Sequence, residues 1–190
     1  MLYAAELHFT PADSAPIFAL AQSIAEACQS TPLAGTGWGP HVTLAVFDEL
    51  PGASAGDGAV PEQVERWLAT FAREVHGLTL EFAAVGLFPG DEGVLFLAPL
   101  VTAQLLAHHR AFHEPLPALG LTSRGYYLPD RWVPHCTIGF QLAPSALVQA
   151  AAMAQQAPLP IHVTVTALRL IALHKPHPTA KPLVSVLGTY

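Results

Sequence analysis

The sequence is poor in charge. Asp, Glu, Lys and Arg make up only 12% of it against 52% hydrophobic residues, a balance that excludes an intrinsically disordered chain and favours a compact globule. Basic residues are scarcer still: 8 Lys and Arg against 14 Asp and Glu give a net charge of -6. A chain of that sign has no global field with which to hold long nucleic acid, so DNA is not expected as a partner and any RNA must be short or gripped locally. Two cysteines are too few for a disulfide scaffold. Cys28, on an expected helix, and Cys136, on the inward face of an expected strand, read as buried apolar residues. Uninterrupted apolar runs of about 18 residues are absent, and Met1-Leu2-Tyr3 lacks the basic start of a signal peptide. The expectation is a soluble, cytoplasmic protein with no membrane partner.

What the chain does have is a repeat. Trp38-Gly39-Pro40-His41-Val42-Thr43 and Trp132-Val133-Pro134-His135-Cys136-Thr137 share the pattern W-x-P-H-x-T, each followed by an apolar pair, Leu44-Ala45 or Ile138-Gly139. The two histidines are 94 positions apart (135 minus 41), about half of the 190-residue chain, which points to a duplicated unit. The residue before a proline is pushed towards extended geometry, and the β-branched and apolar residues after it form a strand. Side chains alternate along a strand, so His41 and Thr43 share one face while Val42, Leu44 and Val46 take the other. His135 and Thr137 likewise oppose Cys136, Ile138 and Phe140.

Around these motifs the patterning gives an order of elements. Residues 2 to 9 alternate as a strand; Asp13 and Ser14 cap a helix with Pro16 in its first turn and Ile17, Leu20, Ile24 and Cys28 as its stripe. The first motif strand runs from His41 to Phe47, and a Gly/Ala/Ser-rich loop from 51 to 59 follows. Pro61 opens a helix with Val64, Trp67, Leu68, Phe71 and Val75 at helical spacing. A hairpin comes next, 78 to 88 and 94 to 98 around a turn at 89 to 93. A helix over 102 to 116, a long loop from Pro117 to Pro134, the second motif strand, a helix from Pro144 to about Gln156 and strands at 161 to 174 and 184 to 187 complete the chain. The fold class is α+β: a bilobal, duplicated fold, two antiparallel-sheet lobes with outer helices around a central cleft. One domain spans 1 to 190, with lobes near 1 to 100 and 101 to 190 and room for exchange of terminal strands.

Two imidazoles across a cleft can act as base and acid in one reaction, because histidine titrates close to neutral pH. Hydroxyls beside them can hydrogen-bond phosphate oxygens and stabilise charge that builds in the transition state. The duplicated motif resembles that of the 2H phosphoesterases, and within them the bacterial and archaeal 2'-5' RNA ligase-like proteins, whose hallmark is two H-x-[TS] motifs on paired central strands. That resemblance implies metal-independent opening of 2',3'-cyclic phosphate ends of RNA or of small nucleotides to 2'-phosphates, without a cofactor. By position it gives His41 and His135 the acid and base roles, in either order, and Thr43 and Thr137 phosphate binding. The alternatives are a 2'-5' RNA ligase or transferase, which uses the same groups, and a non-catalytic nucleotide- or RNA-binding module. The partner expected is a short RNA end or a small cyclic nucleotide, and the protein is expected to be a monomer.

Further candidates surround the motifs. Arg124 and Arg131, in the loop before His135, could grip phosphate or be solvated loop charges. Tyr126 and Tyr127 could stack on a nucleobase or anchor the loop. His8 could face the cleft from the first strand, and Lys175 and Lys181 lie beside the terminal hairpin turn. Trp38 and Trp132 read as packing residues. His108, His109 and His113, with His174 and His177, suggest metal binding, yet no acidic partner or H-E-x-x-H pattern accompanies them, so no metal site is expected.

Overall fold

Apolar periodicity becomes structure in the expected order. The protein, a computed structural model, is described at residues 1–33, 37–51, 60–88, 90, 93–174 and 183–190. Its elements are β1 (Leu2–Phe9), α1 (Pro11–Cys28), β2 (His41–Phe47), α2 (Glu62–Val75), β3 (Thr79–Phe88), β4 (Val94–Pro99), α3 (Ala103–His113), β5 (Cys136–Gly139), α4 (Pro144–Ala154), β6 (Ile161–His174) and β7 (Leu183–Thr189). The loop from 117 to 134 carries a short 3-10 turn at Gly125–Tyr127. Most of segment 51–59 and of the turn at 89–93, with Lys175, His177 and Lys181, lies outside the described residues.

The start of α1 corrects the sequence reading. Thr10 is the cap, its hydroxyl accepting the Asp13 amide at 3.0 Å, and Pro11 rather than Pro16 occupies the first turn. Pro at the first helical position loses no hydrogen bond, because that N–H has no partner within the helix anyway. Asp13, thus freed from capping, accepts the backbone N–H of Thr164 at 2.8 Å and ties α1 to β6.

All the strand pairs are antiparallel, in the order β2-β1-β6-β3-β4-β5, with β7 also on β6. The 14-residue β6 is shared: Val165–Leu173 pairs with β1, Ile161–Thr164 with β3 and Arg169–His174 with β7. The α+β reading holds, and strands from both halves of the chain mix within each part of the sheet. The sheet bends so that β2 and β5, at opposite ends of the strand order, pack against each other. A main core of Leu7, Ile17, Val42, Leu68, Phe82, Phe112, Cys136 and Leu168, among others, lies under the helices. Among the described residues no helix is long and apolar enough to cross a membrane.

Candidate active site

Each motif builds the same hook. The His41 Nδ1–H donates to the Gly39 carbonyl at 2.7 Å, and the His135 Nδ1–H donates to the Val133 carbonyl, also at 2.7 Å. A carbonyl can only accept, so Nδ1 must carry the proton in both rings. In the neutral form Nε2 then carries no proton, the arrangement a general base needs. The residue two before the histidine supplies the carbonyl, and the intervening proline limits the backbone between them.

Both motif strands also bulge one residue past the threonine. In β2 the register steps from Ala5↔Ala45 to Glu6↔Thr43, leaving Leu44 extra; in β5 it steps from Leu95↔Gly139 to Phe96↔Thr137, leaving Ile138 extra. Bulges flip the alternation beyond them. Val46, expected in the core with Val42 and Leu44, therefore packs in a separate small cluster with Ala4, Ile171, Trp38 and Tyr127. This corrects the parity read from sequence.

Side chains from the second half of the chain satisfy the carbonyls at the β2 bulge. Trp132 Nε1–H donates to the Thr43 carbonyl at 2.9 Å, and His109 and His113 both donate Nε2–H to the Leu44 carbonyl at 3.1 Å. The Trp132 indole also lies flat on the His109 ring, 3.9 Å between centroids and 2° between planes. His109 and His113 are thus structural. Burial, and secondarily the charge of His113, lowers the pKa of His109 to about 4. Among the described residues no group of three or more His, Cys, Asp or Glu could hold a metal.

The two catalytic candidates sit in unlike surroundings. His41 lies opposite His8 in register and Thr43 opposite Glu6, so four polar residues share one face of β1 and β2. Glu6, missed in the sequence reading, is only 1% exposed. Its carboxylate accepts from Trp38 Nε1–H at 3.3 Å and lies 3.1 Å from His8 Nε2 and 3.4 Å from His41 Nε2. Burial of the His8 ring outweighs the neighbouring carboxylate and lowers its pKa. His135 instead meets aromatic rings, Phe88 edge-on at 4.8 Å and Phe96 at 5.4 Å. Burial lowers its pKa, against the pull of the Val133 carbonyl, and the charge of His41 lowers it further. The two imidazoles are carried by β2 and by the start of β5, strands that pack against each other. Cys136, fully buried behind them, has its thiol pushed up to about 12 by desolvation.

The other candidates fall into two groups. His8 joins the cluster. Arg124 is spent on Asp48, Nε at 3.0 Å and Nη2 at 2.6 Å from one oxygen, and its amide bonds the Val46 carbonyl at 2.8 Å. Arg131 is exposed in the loop. Tyr127 packs on the apolar clusters, whereas Tyr126 is 87% exposed. Glu6 had a signal: Leu2, Ala4, Glu6 and His8 share a parity on β1, and a lone carboxylate in an otherwise apolar strand needs a partner.

A sequence profile of the 2'-5' RNA ligase superfamily matches residues 19–177. The chain belongs to that family. Its fold is that of solved structures of similar length. It is similar to E. coli LigT in complex with 3'-AMP, with 16% identity, a TM-score of 0.60 and coverage of 99% of this chain and 95% of that one. It is equally similar to TT0787 of Thermus thermophilus, with 19% identity, a TM-score of 0.60 and coverage of 100% and 97%. No curated protein matches the sequence. The family places the protein among phosphoesterases, enzymes acting on phosphodiesters, as the paired motif led us to expect.

Proposed function

We propose that the protein opens 2',3'-cyclic phosphates at RNA ends or on small nucleotides, leaving a 2'-phosphate. The observation that carries this reading is the matched pair of imidazoles, each with Nδ1 held by a carbonyl two residues back and each followed by a threonine on the same strand face. One histidine takes a proton from water as the water oxygen attacks phosphorus. The other protonates the 3' oxygen as its bond to phosphorus breaks, so protons and bonds balance with no metal or cofactor. Thr43 and Thr137 donate hydroxyls to the phosphate oxygens. LigT, which shares the fold, has been solved with 3'-AMP, a nucleoside monophosphate.

Incubation with a 2',3'-cyclic nucleotide in excess EDTA tests this. Turnover should persist in EDTA and fall by about 10²- to 10⁴-fold in His41→Ala and in His135→Ala. Activity that vanishes with EDTA, or survives in both variants, overturns the mechanism. The reverse reaction, forming a 2'-5' linkage, would use the same groups, and linkage-specific digestion of the products separates the two directions.

A further inference from the structure

Most cations that the structure describes already have partners. Arg66 pairs with Glu62, Arg110 with Asp130 and Arg124 with Asp48, and Arg73 bonds the Thr70 hydroxyl. Arg169 differs from these. Its side chain forms no hydrogen bond or ion pair with any described residue, and its Nε is buried without a partner. A buried donor left unmade is costly, and such a group in a native fold points to something that completes it.

Its position says what that could be. On β6, Arg169 lies between Glu6 of β1 and Thr189 of β7. Its neighbours Leu168 and Leu170 are buried in the main core, so alternation puts the guanidinium on the opposite face, with Glu6, His8, His41 and Thr43. Its positive charge is felt by His8. Glu6, although opposite Arg169 in register, lies against Trp38, His8 and His41 and leaves the guanidinium unpaired. Two strand spacings separate Arg169 from Thr43, roughly 10 Å between backbones. The guanidinium therefore approaches the reacting phosphate from the β6 side, within reach of a further anionic group on the same ligand.

We propose that Arg169 is a subsite for a second phosphate of the substrate, so that the preferred substrate is a cyclic phosphate bearing a further phosphate. The planar fork of a guanidinium matches phosphate oxygens two at a time. The apolar cluster of Ala4, Val46 and Ile171 on the same face lowers the local dielectric and strengthens the contact. The proposal rests on the reading above in placing the first phosphate between His41 and His135.

The test compares three substrates: adenosine 2',3'-cyclic phosphate, the same compound with a 5'-phosphate, and a dinucleotide ending in the cyclic phosphate. Wild-type protein should favour at least one phosphate-bearing substrate by about tenfold or more in kcat/KM, mainly through KM. Whichever is favoured tells a terminal phosphate from an internucleotide one. In Arg169→Gln that ratio should fall to about one, and Arg169→Lys should keep part of it. No preference in the wild type, or the same preference in Arg169→Gln, overturns the subsite. If the wild type turns over none of the three, the catalytic reading fails, and equilibrium titration decides the subsite separately. Adenosine 3',5'-bisphosphate should then bind about tenfold tighter than 3'-AMP to wild type and equally to Arg169→Gln; equal binding to wild type rejects it.

Discussion

Trp132, the first residue of the second motif, donates its Nε1–H to the carbonyl of Thr43, the last residue of the first, at 2.9 Å. This bond joins the two halves of the site at the strand that carries His41. Substituting Trp132→Phe keeps a ring over His109 but leaves the Thr43 carbonyl, at a bulge with no ladder partner to replace the indole, unsatisfied. Denaturant unfolding should show a loss of about 1–3 kcal/mol. Unchanged stability would mean that water or a neighbour replaces the indole.

Glu6 should position His41 and tune His8. Its carboxylate lies within 3.4 Å of His41 Nε2 and 3.1 Å of His8 Nε2. Glu6→Gln keeps the shape and removes the charge. We expect kcat/KM to drop by about 10- to 100-fold through misplacement of the imidazole. The His8 ring, already titrating below the ordinary 6.5 because it is buried, should titrate lower still once the carboxylate that opposes burial is gone. Proton NMR of the histidine ring signals reads this directly; a rise in the His8 midpoint would contradict it.

Much of this was legible in the sequence, and the failures share one cause. Periodicity places the strands and helices, and the parity of His41 and Thr43 follows from alternation alone. Register between strands does not. Nothing in Leu2–Phe9 says that Glu6 will lie opposite Thr43 on one side and Arg169 on the other, because those neighbours come from positions far along the chain. The bulges at Leu44 and Ile138 were equally hidden, and with them the fate of Val46. In α3, spacing shows that His109 and His113 share a face and carry no metal-ligand pattern, but not what that face meets. They meet the carbonyl the bulge sets free.

Acid should loosen the fold at that point. His109 in the unfolded chain takes its proton near 6.5, whereas the folded protein keeps the ring neutral down to about 4. Between those values the unfolded state binds the extra proton, so stability rises with pH through the window and is complete above 6.5. Lowering the pH from 6.5 to about 4 should cost at most about 3 kcal/mol from this ring, with no further loss below. Unfolding midpoints measured across the window should lose most of this slope in His109→Gln. A slope that persists unchanged would assign it to other groups.

Burial sets the pH range of His135 as well. Its pKa is lowered first by desolvation and then by the charge of His41, while the Val133 carbonyl pulls the other way. The ring is therefore neutral, with Nε2 free to accept, at pH values where an exposed histidine is half charged. An NMR titration should find its midpoint below 6.5. Should His135 supply the base, the acidic limb of kcat/KM would lie below 6.5 too; a midpoint above 6.5 would refute the burial argument.

The aromatic setting of His135 depends on a glycine. A Cβ on Gly86 would come within 2.3 Å of the Phe96 ring, which packs at 4.4 Å on Phe88 and at 5.4 Å on His135. Phe96 also pairs with Thr137 in register. The missing side chain thus makes room for the ring that holds one catalytic candidate from below. Gly86→Ala must push Phe96 aside, and overpacking of this kind costs about 1–3 kcal/mol. The same shift moves the platform under His135 while leaving Glu6 and His41 untouched. Turnover should therefore fall more than stability predicts, by about tenfold or more in kcat, with the His8 titration unchanged. Pairing the variant with Phe96→Leu, which gives the new methyl space, should recover stability without restoring the ring contact to His135. If the double variant also regains full activity, the Phe96 ring is filler and the aromatic platform has no part in placing the imidazole.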